Sequence, residues 1–307
     1  MRDFFHTGLN VSRSDLENIG LRILYPGGIW YVSRNKGSIS GDGRSWDQAF
    51  LTIREAITAV NLANSTAAYP TRGRNTLILI DEGWYAETPL TLIASDCHIK
   101  VAAPGNHDST VLYGVPVAGI FSGVAGGPAL TLRGDNCTIE GLGVYTSDPL
   151  YAAIQNGTTG AGGTTNGNKF LGVNCVRDVA DGELCGILDY GADGTLIEKC
   201  FFSTSCKEAG VRSKTNGVIN PVNLQVLKCL FIGTPIGVDQ ENGHNMLVDE
   251  CHFLDDTSDR ADVVDYPVII DGSGTVSRCY SALTKAAIVT GGGTIVDIGN
   301  YGSDSST

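Results

Sequence analysis

The chain has 307 residues, 42% hydrophobic and 18% charged, with a formal charge of −12 at pH 7. That composition belongs to a globular protein of one or two domains and not to a disordered one, and the acidic balance disfavours phosphate-rich partners, so nucleic acid and anionic membranes are excluded as natural targets. Forty glycines without a G-X-Y period exclude collagen and point to a turn-rich β protein.

No apolar run is long enough to cross a bilayer as a helix, so no membrane insertion is expected. The opening "MRDFFHTGLNVSRSDLENIG" lacks the apolar core of a signal peptide. The nine cysteines are odd in number and form no C-x-x-C pair, which argues against a disulfide framework and a zinc site. Reduced, buried thiols and synthesis in a cytosol are expected.

Residues 1–27 show no periodicity and read as an arm or adaptor. Within them Ser14 and Glu17 have the spacing of a capping box, and Gly20 would stop a short helix. Residues 28–66 hold an opening strand at Ile29–Val32, a Gly/Ser/Asp loop, and helical spacing at Ala49, Phe50, Ile53, Ala56, Ile57 and Val60. The spacing predicts a helix from Trp46 to Leu62, begun by Ser45 or Asp47.

Residues 67–307 carry short strands parted by turn residues. One strand set, exemplified by "TLIEKCFFS", aligns Leu142, Cys175, Cys200, Cys229, Cys251, Cys279 and Asn300 at intervals of 21 to 33 residues. A second set alternates with it: residues 151–157, 185–191, 209–217, 236–243, 267–274 and 286–293, most running into a glycine turn. A repeat of this length without internal helices predicts a β-solenoid whose strands stack one coil apart. Extra residues then bulge out at one corner without disturbing the stack. The cysteine column reads as an interior ladder of small apolar residues.

"YVSRNKGSISGDGRSWDQAFLTIREAI", "LILIDEGWYAETPLTL" and "CTIEGLGVY" resemble the first coils of right-handed parallel β-helix proteins of the pectin-lyase-like superfamily. The resemblance covers residues 28–302. It implies an all-β, single-stranded parallel β-helix whose N-terminal end is plugged by the helix. The C-terminal segment "VDIGNYGSDSST" shows no comparable plug, so another chain is expected to cover that end.

The scaffold hosts lyases, hydrolases, esterases and non-catalytic spikes, so chemistry must be sought in the side chains. Asn156, Asp189, Ser213, Asp239 or Gln240, Asp271 and Thr290 close the second strand set and form a polar column. One reading is a groove that binds sugar hydroxyls through Asp189, Asp239 and Asp271, with Tyr151 and Tyr190 as stacking platforms. The other is turn chemistry, in which polar residues before glycine bond the backbone. For a glycosidase, Asp189 would pair with Asp239 or Glu241, and His244 follows Gly243 as in the hydrolases of this scaffold. The Arg-x-Lys and Asn-x-Asp elements of those hydrolases are missing. A uronate lyase would need calcium held by an acid cluster and a base such as Arg177, Lys207 or Arg212. Acid clusters occur at 178–193 and 255–265. No metal or other cofactor is otherwise expected.

A β-helix that works outside a cell yet lacks an export signal fits a virus particle, and the resemblance is closest to phage tailspikes and virion appendages. The expected role is a spike, fibre or decoration subunit made in the host cytoplasm. It would be held to other virion proteins by residues 1–27, form a homo-oligomer, most simply a trimer, and contact surface glycans. The alternatives are an extracellular polysaccharide lyase or glycoside hydrolase, and a bacterial surface protein.

Overall fold

The computed structural model describes residues 24–65, 75–102, 118–123, 126–160, 163–175, 184–203, 206–254, 266–282 and 288–302. The arm, apart from residues 24–27, therefore lies outside the described residues. So do Ser14, Glu17, Arg177, and the acid runs 178–183 and 255–265.

Short strands alternate around a coil and build three parallel sheets of ten, nine and eight strands. The first sheet starts with Gly28–Val32 and ends with Thr294–Ile298; the second runs from Gly83–Ala86 to Tyr301–Gly302; the third runs from Leu90–Leu92 to Val289–Thr290. Each coil visits first, second and third sheet in turn, so neighbours in a sheet are one coil apart in sequence. This is a parallel β-helix. All six predicted strands of the second set lie in the third sheet, at Ile154–Asn156, Cys185–Tyr190, Ala209–Lys214, Ile236–Glu241, Tyr266–Asp271 and Val289–Thr290.

Alternation along each strand sends one side chain in and the next out. Parallel register then stacks like on like. In the first sheet Ile99, Ile139, Phe170, Ile197, Val226, Val248 and Val276 form one interior column. In the second, Phe202, Phe231 and Phe253 stack with centroids 4.9 Å apart and planes 12° from parallel. Across the interior these rings face Gly186, Gly210 and Gly237, where any Cβ would come within 2.5 Å of a ring atom. Large rings on one wall thus demand glycine on the other.

The first and second sheets meet at a corner held in the left-handed region. Gly141, Gly172, Lys199, Lys228, Glu250, Arg278 and Gly299 occupy it, with φ between 52° and 71°. The next residue points inward: Leu142, Val173, Cys200, Cys229, Cys251, Cys279 and Asn300. Cysteine suits this place because it is small and apolar and its S–H adds a second donor to corner carbonyls that already accept a backbone N–H, as Cys229 Sγ does to Leu227 O at 3.3 Å and Cys279 Sγ to Ser277 O at 3.3 Å. Cys175 is not in this column. It pairs with Phe202 in the aromatic one, and Val173 takes its expected place. Counting from the thiol rather than from the left-handed Gly172 shifts the alignment by two residues.

The helix spans Ile53–Ser65 and covers the N-terminal end, burying Ile53, Ala56, Ile57 and Val60 against the first coils. It begins later than the periodicity predicts. Thr52 and Glu55 form the capping box, with Thr52 N–H donating to Glu55 Oε2 at 3.0 Å and Glu55 N–H to Thr52 Oγ1 at 3.3 Å. The buried Glu87 accepts from Ile53 N–H at 2.8 Å. Burial raises the Glu87 pKa, while the helix amides and Arg54 pull it back. Trp46–Gln48 is a separate 3-10 turn, and Ala49 instead covers Ile29, Tyr31 and Leu77.

The last coil reverses the pattern. Asp297 stands in the interior column after Val276, Asn300 follows Cys279, and Gly302 follows Ser281. Asn300 accepts from Cys279 N–H at 2.7 Å and donates to Val276 O at 3.1 Å, closing the corner carbonyl that a thiol would otherwise take. Val296, Ile298 and Tyr301 face outward and are exposed. This coil thus carries two polar side chains, Asp297 and Asn300, and a glycine at inward positions.

Candidate functional site

The third sheet carries most of the predicted site residues, and strand alternation sorts them into two groups. Asn156, Asp189, Ser213 and Gln240 are register partners, all fully buried inside the coil. Asn156, Asp189 and Ser213 form a connected network, which the Gln240 amide does not join. Asp189 Oδ1 accepts from Asn156 Nδ2 at 2.6 Å and Thr195 Oγ1 at 3.1 Å, and Oδ2 accepts from Ser213 Oγ at 3.1 Å. Asn156 Oδ1 accepts from Asn168 Nδ2 at 2.7 Å and Thr165 Oγ1 at 2.9 Å. Burial raises the Asp189 pKa, and the three donors oppose that rise. Asp189 therefore cannot line a groove or flank a scissile bond. It ties three coils together across the corner between the third and first sheets.

The outward group is different. Arg212 pairs in register with Asp239, and Glu241 with Asp271; Tyr190 pairs with Lys214. Arg212 sits at the centre. Its Nη2 donates to Glu241 Oε1 at 2.5 Å, its Nη1 donates to Glu208, and its Nε lies 3.3 Å from Asp239 Oδ2. That last N–H is not aimed at the oxygen, so the contact is Coulombic rather than a hydrogen bond. Burial works against the Arg212 charge, but Glu241, Asp239 and Glu208 outweigh it and its pKa is raised. Asp239 is raised as well: burial is the largest cause, Arg212 opposes it, and Glu241, Asp271 and Glu208 add to it. Lys214 Nζ lies 5.2 Å from the Tyr190 ring centroid, over one face of the ring.

Asp271 is exposed and accepts from Gly292 N–H at 3.2 Å. His244 is exposed on the turn after Glu241, at the corner toward the first sheet. Tyr151 lies in the bend before the strand Ile154–Asn156, whereas Tyr190 ends its strand. Six positions of extended chain, about 20 Å, separate those two levels, so the two tyrosines cannot hold one sugar between them. Thr290 pairs with Ile269 and stands outward in the Arg212 column, one coil beyond Ile269. Lys207 is exposed in the bend before Ala209.

The structure therefore brings Tyr190, Asp239, Glu241 and Asp271 onto one rigid face and removes Asp189 from it. Lys214 and Glu208 belong to the same face and were not anticipated, and Arg212 was expected only as a lyase base. The signal was present: aligning "GVRSK" with "GVDQE" sets Arg212 beside Asp239 and Lys214 beside Glu241. Among the described residues no group of three or more His, Cys, Asp and Glu side chains could hold a metal ion. No described helix is long and apolar enough to cross a membrane.

No known family profile matches the chain, and no curated protein does. Solved structures do. The product of ORF18 of Geobacillus virus E2 superposes with a TM-score of 0.58 at 15% identity over 90% of this chain and 52% of its own. The chain thus spans about half the length of that viral protein. A pectin methylesterase from Aspergillus niger gives 0.55 at 11% identity over 91% of this chain and 87% of its own. An alginate lyase from Paenibacillus gives 0.51 at 15% identity, covering 81% and 93%. At these identities the likeness establishes the fold: a right-handed parallel β-helix.

Proposed function

We propose that the chain is a virion appendage subunit that holds a surface glycan along the outer face of the third sheet. The observation that carries this reading is the Arg212 cluster. One guanidinium is shared by Glu208, Asp239 and Glu241, so these carboxylates are fixed acceptors on a rigid sheet rather than a free acid and base. Such a row suits hydrogen bonding to sugar hydroxyls, with Tyr190 and Lys214 beside it. The pairs of Asp189 with Asp239 or Glu241 are not formed, because Asp189 faces the interior. The structural likeness to a viral protein supports the virion setting. In that setting residues 1–27 serve as the attachment arm, the chain forms a homo-oligomer, a trimer in the simplest case, and several copies give avidity.

The enzyme reading rests on the raised pKa of Asp239, which suits a general acid, and on the likeness to polysaccharide-active enzymes. One experiment separates the two. The full chain is incubated with neutral and acidic polysaccharides while binding, new reducing ends and the absorbance of unsaturated uronates are followed. Binding without product, weakened by Glu241→Gln and Asp271→Asn, is the expected result. Product release that disappears in Asp239→Asn establishes the enzyme and ends the binding-only reading.

A further inference from the structure

The strand Gly28–Val32 is the outermost strand of the first sheet, and the following loop folds back over its outer face. There Tyr31 N–H donates to Gly43 O at 2.9 Å, and Phe50 N–H donates to Tyr31 O at 2.9 Å. Between the strand and the loop lies an open cleft of about 630 Å³. It is on a different sheet from the Arg212 row and near the opposite end of the first coils.

Aromatic rings form its walls. Tyr31 and Trp46 meet edge to face, centroids 4.8 Å apart at 65°. Tyr25 also lines the cleft and is held from behind. Its hydroxyl lies 2.8 Å from His98 Nδ1, His98 Nε2 lies 2.8 Å from Glu140 Oε2, and Lys100 Nζ donates to Glu140 Oε1 at 2.7 Å. Glu140 is held down to about 2, first by His98 and then by Lys100 against the opposing effect of burial, so it stays charged and accepts only. His98 then donates from Nε2, and in the neutral ring Nδ1 accepts from Tyr25. The contact chain from Lys100 through Glu140 and His98 holds the tyrosine in place.

Two opposite charges share the cleft. The Arg44 guanidinium carbon lies over Trp30, 3.6 Å from its ring centroid. Among the described residues it pairs with no carboxylate, Asp47 of the same cleft included; its backbone N–H alone bonds Asp42. Arginine donates only and aspartate accepts only, so a ligand that satisfies both must do both. Hydroxyl groups do. Aromatic walls take the apolar face of a ring. The charges of Arg44 and Asp47 cancel, so the cleft matches an uncharged ligand; a carboxylate or phosphate would satisfy Arg44 and be repelled by Asp47.

We propose that this cleft binds a ring of a neutral glycan, a pyranose lying against Tyr31 and Trp46 with vicinal hydroxyls shared between Arg44 and Asp47. The site stands on its own and does not depend on glycan binding at the third sheet.

The test is a titration of the full chain with neutral oligosaccharides built on glucose, galactose, mannose and N-acetylhexosamines, and with one polyuronate. Saturation-transfer NMR and tryptophan fluorescence read binding. At least one neutral member is expected to bind, with Trp46→Ala and Arg44→Ala each weakening it about tenfold, the loss of one stacking or charge-assisted contact. Trp46→Phe, which keeps the ring, is expected to retain most of the affinity and guards against a folding defect. The proposal is overturned if no neutral member binds, if the polyuronate binds more tightly than every neutral sugar, or if binding survives Trp46→Ala. Loss of binding in Glu241→Gln with Trp46→Ala unaffected would assign the glycan to the third sheet and also overturn it.

Discussion

Gly210→Ala is the sharpest probe of how this solenoid is packed. A Cβ at Gly210 would stand 2.5 Å from Phe231 Cδ1 and 2.6 Å from Cε1. Comfortable carbon–carbon contact is about 3.5–4.0 Å, so the ring must withdraw by about 1 Å. It has no room, because Phe202 and Phe253 stack on its two faces at 4.9 Å each. The backbone at Gly210 is not in the left-handed region, so the cost is steric alone. Overpacking of this kind costs about 1–3 kcal/mol, and the sandwiched ring puts this site at the upper end. Phe231→Leu makes space, at its own cost of about 1–2 kcal/mol for lost area and stacking. In the double variant the two losses should fall short of their sum by at least about 1 kcal/mol, the mark of direct contact. Urea unfolding followed by circular dichroism reads this. With a slope near 3 kcal/mol/M, Gly210→Ala should lower the midpoint by about 1 M with the slope unchanged. A shift under about 0.2 M, or strict additivity with Phe231→Leu, would refute the claim that the aromatic column is packed hard against the glycine wall.

Asp189→Asn should be tolerated, since asparagine can accept from Asn156 and Thr195 and donate to Ser213. The folded pKa of Asp189 lies above its ordinary value of 3.8. The folded state therefore holds its proton longer, and the acid's contribution to stability falls as pH rises through that window. The stability of Asp189→Asn relative to the parent should accordingly improve from pH 3 to pH 7 in thermal melts; a relative loss on raising pH would reverse the sign. Asn300→Ala removes the bonds to Cys279 N–H and Val276 O. It should cost about 1–3 kcal/mol and speed amide exchange in residues 279–302 while leaving the first coils protected. All nine cysteines are buried, and burial pushes Cys137 up to about 12. A thiol reagent should label none in the native chain within minutes and nine after denaturation; rapid native labelling would contradict the packed ladder.

Much of the fold was readable because a solenoid repeats its physics. Strands ending in Asn-Gly, Tyr-Gly or Gly-Gly marked the third sheet, and all six fell where the pattern put them. The plugging helix was readable from Ile53, Ala56, Ile57 and Val60. Its start was not, because Ala49 and Phe50 fit the same period while Ala49 serves a different surface and Phe50 bridges to Val32 and Ser38 in extended chain. Cys175 was misplaced because a column is anchored by its left-handed corner, and Gly172 resembles any other glycine in sequence.

The site shows the limit most plainly. Asp189 and Tyr190 are neighbours in sequence and lie on opposite sides of the sheet; so do Asp239 and Gln240. The sequence by itself determined the coil, its third sheet, the plugged end and the polar residues before each turn, since these follow from local period and turn chemistry, whereas the cysteine-bearing stretch read as one strand set bends into two sheets. Only the tertiary structure decided which polar residues face inward. A strand has period two, so one residue of offset turns a ligand-facing carboxylate into a buried strut, and loops of varying length conceal that offset. It also decided that the loop after Val32 folds back to make a cleft of Tyr31, Arg44, Trp46 and Asp47, since a contact between a strand and a returning loop has no period to betray it.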